Sequence, residues 1–308
     1  MNDSSGNSHV FLINNPVVAI VAAIYQREHL DDPDKIINIS IRDTKLNLLL
    51  GRKIYLGHGL LSRATKKLLG TNVAIEVLKI IFGMKNINFN LYGAWSYFEF
   101  EALSRSPRCK SFYYLEEGRQ SYFNSSVFDK DNRELTFAKR EAKIRTGDIN
   151  QFWANGASKY IMLTESCFPF VKLEKKIIVE DVEKLRSLYD AKLIGKTTIA
   201  ILPSLERLHR SHINIAIKTL ATRFPEIDAI KPHPSYFVKR EYIDVLTEAV
   251  SSHLDNVYVC DAGTVIEAEM LFEEKTLVGP LSSLEIYAKL LGSKYIKIDF
   301  ENYVEPQY

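Results

Sequence analysis

Three short runs in this sequence set residues able to move a proton or hold an anion next to strand-like segments. Tyr113-Tyr114-Leu115-Glu116-Glu117-Gly118 ends an apolar stretch in two adjacent carboxylates and a glycine that permits a tight turn. Neighbouring residues of an extended chain point to opposite faces, so one of the two glutamates is expected to face a ligand. A carboxylate there, desolvated beside a second negative charge, has its pKa raised toward the range of a general base. Ala229-Ile230-Lys231-Pro232-His233-Pro234 holds a histidine between two prolines directly after a strand-like run. An imidazole fixed in this way loses little freedom on binding and can donate to a phosphate or protonate a leaving group. Gly279-Pro280-Leu281-Ser282-Ser283 places paired hydroxyls and backbone N–H groups ahead of a helix-like segment, which suits an anion. Each run also has a plainer reading, as a solvated acidic turn, a loop-capping histidine and an ordinary serine N-cap.

The elements that position these runs alternate along the chain. Short apolar runs at His9–Ile13, Lys35–Ile41, Lys53–Leu56, Asn88–Leu91, Ser111–Leu115 and Tyr160–Thr164 read as strands. Asn14-Asn15-Pro16 offers an N-cap and a first-turn proline, so Pro16–His29 is expected to be a helix. One or two helices are expected over Ser62–Met84, and another from Trp95 to about Leu103. A second series follows Pro169, with strands expected at Thr198–Leu202, Ala229–Lys231, Val257–Cys260, Thr276–Val278 and Tyr295–Ile298. Helices are expected between them at Glu180–Tyr189, Ile213–Arg223, Tyr242–His253, Val265–Phe272 and Ser283–Leu291. Such alternation predicts parallel sheets built from βαβ units, in two doubly wound domains joined near Phe170–Lys176. Ligands of open parallel sheets sit at the carboxyl ends of the strands, where all three runs fall.

Composition narrows the class. The 308 residues are 46% hydrophobic and 25% charged, as in a soluble globular protein of two ordinary domains. The net charge of +2 does not indicate a nucleic-acid partner, although residues 1–171 carry 22 Lys and Arg against 17 Asp and Glu. That mild excess suits contact with an anionic glycan or membrane surface as well as a plain solvated face. Cys109, Cys167 and Cys260 lack metal-ligand spacing and read as reduced thiols of a cytoplasmic protein. The apolar run Val17–Tyr25 is too short to span a bilayer, which takes about 20 residues, and has no basic segment before it. Walker, G-x-G-x-x-G, G-x-S-x-G and H-E-x-x-H patterns are absent from the sequence. His209 and His212, three apart, make a poor metal site without a third ligand.

In their order and context the three runs resemble bacterial sialyltransferases that carry a D/E-D/E-G motif, an HP motif and a paired-serine motif. These stand here as Glu116-Glu117-Gly118, His233-Pro234 and Ser282-Ser283. The opening Phe11-Leu12-Ile13-Asn14-Asn15-Pro16 is similar to the start of glycosyltransferase family 52, which includes lipooligosaccharide and capsule sialyltransferases. The resemblance implies a GT-B fold, with two Rossmann-like doubly wound domains facing a central cleft. Residues 1–170 would be the acceptor-side domain and residues 171–308 the CMP-donor-binding domain. The implied reaction is inverting transfer of sialic acid from CMP-Neu5Ac to a cell-surface glycan, with no metal or other cofactor. Another CMP-activated nonulosonic acid, or Kdo, would fit the same motifs, and so would a non-catalytic GT-B protein that binds a glycan or nucleotide.

On this resemblance Glu116 would take the proton of the acceptor hydroxyl, with Glu117 its close rival. His233 would hydrogen-bond the donor phosphate and assist departure of CMP, and Ser282 and Ser283 would bind that phosphate. Gly118, Lys231, Pro234 and Gly279 complete the implied substrate-binding set. Many relatives have an aspartate in the acidic motif, where this chain has two glutamates. Glu206, in the loop after the first strand of the second domain, is therefore an alternative base. Glu267 would hold the donor ribose, and Tyr122 and Trp95 could stack on sugars. The implied partners are a CMP-activated donor and a glycan acceptor, without nucleic acid. A homodimer and peripheral contact with the inner face of a bacterial inner membrane are compatible with this reading.

Overall fold

The computed structural model describes residues 7–40, 48–55, 83, 87–94, 100, 103–104, 106–122, 157–169, 171–181, 186, 189–205, 207–280 and 282–300. The chain divides into two compact units, Met1–Leu188 and Tyr189–Tyr308. Each is built around its own parallel sheet.

The first unit contains strands β1 (Ser8–Ile13), β2 (Ile36–Ser40), β3 (Arg52–Tyr55), β4 (Phe89–Gly93), β5 (Cys109–Leu115), β6 (Lys159–Met162) and β7 (Lys176–Ile178). They pair in the order β3-β2-β1-β4-β5-β6-β7, every pair parallel. Because β1 lies between β2 and β4, strand order reverses at the β1/β4 boundary, the switch point of a doubly wound sheet. β1 is apolar on both faces, and Val10, Phe11, Leu12 and Ile13 are all buried, as a central parallel strand requires. Val10 and Leu12 join a core with Ile37, Ile39, Leu91, Phe100 and Tyr160, each such side chain contributing about 1.5–3 kcal/mol by burial.

Helix α1 (Pro16–His29) begins as its sequence predicts. The Asn15 side chain accepts from the Val18 N–H at 2.9 Å, and Pro16 stands in the first turn. Residues Val17 to Gln26 are all buried, so this helix is covered on every side rather than along one stripe. The polar residue on it is satisfied internally: Gln26 Nε2 donates to Asn38 Oδ1 at 2.8 Å, and its Oε1 accepts from the Leu50 N–H at 2.9 Å. Asn38 donates in turn to the Leu50 carbonyl, closing a network between α1, β2 and the approach to β3.

Strand β7 lies beyond the expected boundary at residue 170 and pairs with β6, so the first sheet runs on past that point. It is a half-buried, three-residue edge strand that opens on Lys176 directly after Lys175, a composition that reads as a linker. Apart from Gly83, Phe100 and Leu103, the helices expected over Ser62–Met84 and from Trp95 to about Leu103 lie outside the described residues, as does most of that over Glu180–Tyr189.

The second unit contains β8 (Thr198–Ile201), β9 (Ala229–Lys231), β10 (Tyr258–Val259), β11 (Thr276–Gly279) and β12 (Lys294–Lys297). They pair in parallel in the order β10-β9-β8-β11-β12, with the switch point between β8 and β11. Helix α2 (Ile213–Arg223) buries Ile213, Ala216, Ile217 and Leu220, and α3 (Arg240–His253) buries Leu246, Ala249 and Val250. Both patterns are single helical stripes, and they meet Ala200, Leu202, Ile230 and Val278 in one core. The short helices α4 (Ile266–Glu269) and α5 (Leu284–Leu290) follow β10 and β11. The two doubly wound parallel sheets expected from the sequence are therefore present.

Candidate functional site

In the second unit the polar residues gather at the carboxyl ends of β9 and β10. Lys231 is the last residue of β9, and its Nζ donates to the Asp261 carbonyl at 2.8 Å. Burial lowers its pKa, while Cys260, Asp261 and Glu267 draw it back up and Lys192 pushes it further down. Glu267, on α4, feels the reverse balance. Burial raises its carboxyl above the usual range, and its own backbone N–H and the Lys231 charge oppose that rise. Asp261 completes the group, with one oxygen 2.6 Å from Lys192 Nζ and the other accepting from Thr264 Oγ1 at 2.9 Å. Two ammonium groups and two carboxylates thus gather beside the ends of β9 and β10.

His233 stands two residues beyond Lys231, exposed at the head of a 3₁₀ turn over Pro234–Phe237. Its Nδ1 accepts from the Ser235 N–H at 3.2 Å and lies 3.1 Å from Ser235 Oγ. Ser235 Oγ itself accepts from the Leu205 N–H at 3.1 Å, which leaves its proton for Nδ1. A backbone N–H can only donate, so Nδ1 is the acceptor and the neutral ring carries its proton on Nε2. The loop-capping role expected of a histidine here is thus taken by Nδ1. His209, after the adjacent strand β8, repeats the device, with Nδ1 3.4 Å from the Ser211 N–H and 2.8 Å from Ser211 Oγ. The recurring His-x-Ser spacing was the sequence signal for this second capped histidine.

The paired serines divide unequally. Ser282 Oγ accepts from the Leu284 N–H at 3.3 Å and so caps α5, whereas Ser283, at the N-cap position, makes no side-chain cap bond. Gly279 is buried at the end of β11, where a Cβ would lie 2.7 Å from the Ile201 carbonyl oxygen. Its lack of a side chain therefore serves the approach of β11 to β8. Glu269, two residues from Glu267, is a structural carboxylate that sequence reasoning missed. It is 1% exposed and accepts from Tyr189 Oη at 2.8 Å and from the Lys192 and Leu193 N–H groups at 3.0 and 2.9 Å. These bonds fasten the start of the second unit to α4.

In the first unit the two glutamates diverge as adjacent strand-end residues should. Glu116 is fully buried, with Oε1 accepting from Tyr122 Oη at 2.7 Å and Oε2 from the Leu163 N–H at 2.8 Å. Tyr122 is accordingly a partner of Glu116 rather than an open stacking surface, and burial and the Glu116 charge both raise its pKa. Glu117 is half-buried and its backbone is clamped on both sides: its N–H donates to Ser121 Oγ at 3.1 Å, and its carbonyl accepts from Asn15 Nδ2 at 3.2 Å. Gly118 follows with φ 119°, a conformation other residues rarely adopt. The buried, doubly bonded Glu116 ties the turn to Tyr122 and Leu163, and Glu117 is the half-buried member of the pair. Glu206, Trp95 and Leu281 lie outside the described residues.

Among the described residues, no three His, Cys, Asp or Glu side chains are grouped to hold a metal, and no helix is long and apolar enough to cross a membrane. The three cysteines are free thiols.

The two parallel-sheet units define the chain as an α/β protein of the doubly wound type. No family model matches it, and no curated protein matches it. Solved structures with a similar fold include an Escherichia coli heptosyltransferase with ADP-2-deoxy-2-fluoro heptose, at 10% identity and TM-score 0.46, over 94% of this chain and 88% of that one. The Neisseria meningitidis UDP-GlcNAc 2-epimerase bound to UDP-GlcNAc is similar at 12% identity and TM-score 0.46, over 94% and 82%. Anabaena HepE in complex with UDP and glucose is similar at 13% identity and TM-score 0.45, over 94% and 80%.

Proposed function

We propose that the chain is an inverting, metal-independent glycosyltransferase that moves sialic acid from CMP-Neu5Ac to a glycan such as lipooligosaccharide or capsule. The observation that carries this reading is the strand end Lys231-Pro232-His233, where the Lys231 ammonium stands beside Asp261 and Glu267 and the His233 imidazole follows two residues on, its Nδ1 accepting from the Ser235 N–H. In the reaction, negative charge builds on the leaving phosphate while the sugar becomes oxocarbenium-like, so fixed donors aimed at that phosphate lower the barrier. His233 Nε2–H and Lys231 supply those donors, Ser283 adds its hydroxyl, and Glu267 accepts from the ribose. The acidic turn of the first unit supplies the base: Glu117 takes the acceptor proton, and Glu116 holds the turn in place. CMP is a good leaving group, and the reaction makes no demand for a metal. The acidic, HP and paired-serine motifs, each starting within three residues of the end of a parallel strand, support the assignment.

Calorimetric titration with CMP, UDP and GDP in EDTA tests it. Selective CMP binding that is lost in His233→Ala and weakened in Ser283→Ala is the expected result. Preference for UDP, or binding that appears only with a divalent metal, would sink the reading. A panel of CMP-activated acids then separates sialic acid from other nonulosonic acids and Kdo.

A further inference from the structure

The switch point of the first sheet holds a polar side chain that the reaction above does not use. β1 ends at Ile13, and the next residue, Asn14, is 1% exposed. Among the described residues, neither its Nδ2 nor its Oδ1 has a hydrogen-bond partner. A buried carboxamide in this condition carries the full cost of desolvating a donor and an acceptor, and folded proteins retain few of them. The surrounding amides are not left this way. Asn15 uses Oδ1 for the Val18 N–H and Nδ2 for the Glu117 carbonyl, and the buried Gln26 and Asn38 bond one another.

Position supplies the second half of the case. Strand order reverses between β1 and β4, and open parallel sheets bind ligands outside the carboxyl ends of the strands at that point. Asn15 ties the same spot to the acidic turn through the Glu117 carbonyl. The geometry points to Asn14 as a sugar-binding residue, its Nδ2 donating to one hydroxyl oxygen and its Oδ1 accepting from the neighbouring hydroxyl. Vicinal sugar hydroxyls each donate and accept, so one carboxamide satisfies a pair of them. An unprotonated phosphate or carboxylate has no proton to offer and would leave Oδ1 facing lone pairs. Desolvation strengthens each bond so made.

This inference rests on reading the chain as a CMP-sugar:glycan transferase, and the sugar could belong to either the donor or the acceptor. Wild type, Asn14→Leu and Asn14→Asp are titrated with CMP, with CMP-N-acetylneuraminic acid, and with lactose and sialyllactose, and their melting is followed. Asn14→Leu is expected to keep CMP affinity within about twofold and to weaken one sugar probe about tenfold or more, the loss expected when a paired hydrogen-bonding group is removed. Loss on the CMP-sugar assigns the donor, and loss on the glycans assigns the acceptor. The leucine variant should melt no lower than wild type, because two unsatisfied groups leave the interior. Asn14→Asp, which keeps the shape without the Nδ2 donor, should show the same loss. Asn14→Ala replaces the leucine variant if that one does not fold. Unchanged sugar binding overturns the assignment. So does an equal loss on CMP itself, which would mark a contact with the base, and so does lowered melting with sugar binding intact, which would mark a structural water. Wild type that binds CMP but no sugar probe overturns it too, while absence of CMP binding in wild type instead removes the underlying reading and this inference with it.

Discussion

Tyr122 Oη donates to a Glu116 carboxylate oxygen at 2.7 Å, and Leu163 N–H holds the other oxygen at 2.8 Å. A carboxylate so engaged and wholly buried ties the acidic turn to the end of β6.

Glu116→Ala should therefore act on folding. It leaves a buried phenol and a backbone N–H without their acceptor, at a cost of about 2–4 kcal/mol, readable by urea denaturation. Glu117→Gln should stay within about 0.5 kcal/mol of wild type and lower turnover about 100-fold or more. If the glutamine variant at 117 turns over normally, the base is elsewhere, and Glu116 or Glu206 returns to first place.

The capped imidazole of His233 can be separated from its donor role. Asparagine also caps, so His233→Asn should keep the bond from the Ser235 N–H and most of the stability while losing the Nε2–H. His233→Ala should lose both, with about 1 kcal/mol from the cap. CMP affinity should fall about tenfold in both variants, the loss of one charge-assisted bond. Full affinity in His233→Asn would reduce the histidine to a loop cap.

On the proposed reading, Lys231 should make CMP binding pH-dependent. Its pKa in the folded protein lies below the ordinary lysine value because burial opposes the charge. Its contribution to stability is therefore present above the unfolded pKa and lost as pH falls through the folded one. A bound phosphate favours the charged form, so CMP binding should take up protons between the lowered pKa and the usual lysine range. Calorimetry in two buffers of different ionisation enthalpy reads this uptake, and Lys231→Met should abolish it.

Gly279→Ala should destabilise the second unit. The added methyl would meet the Ile201 carbonyl at 2.7 Å and its Cβ at 2.9 Å, forcing β11 from β8. A loss of about 1–3 kcal/mol follows, with CMP affinity preserved wherever the unit stays folded. An unchanged melting temperature would show that the two strands give way freely.

The thiols should be slow to alkylate. Burial pushes Cys109 up to about 11, Cys260 to about 12 and Cys167 well above the ordinary range. Little thiolate is present near pH 7.5, so iodoacetamide should label all three only after denaturation. Rapid labelling of the native protein would mean that at least one site opens.

The sequence by itself determined the alternation of short apolar runs with helices, the Asn15-Pro16 helix start and the two parallel sheets. Strand period and caps are local, so they survive without knowledge of neighbours. It also put Glu116-Glu117, His233 and Ser282-Ser283 after strands, which is where a parallel sheet binds ligands. Only the tertiary structure decided what each of those groups does. Leu163, 47 residues away, and Tyr122 close on the Glu116 carboxylate. Glu269 anchors the Tyr189–Leu193 segment, while Glu267, two residues before it, lies in the electrostatic field of Lys231. Lys275 is 3% exposed and donates to the Leu193 and Lys196 carbonyls and to Glu273, a role its charge alone would not suggest. Asn14 and Asn15 are the same residue type side by side, yet one bonds Glu117 and caps a helix, while the other is buried with no hydrogen-bond partner for its carboxamide among the described residues. The use of a polar group depends on which distant donors and acceptors the fold brings within 3 Å or so, and that information is in the packing and not in the local pattern.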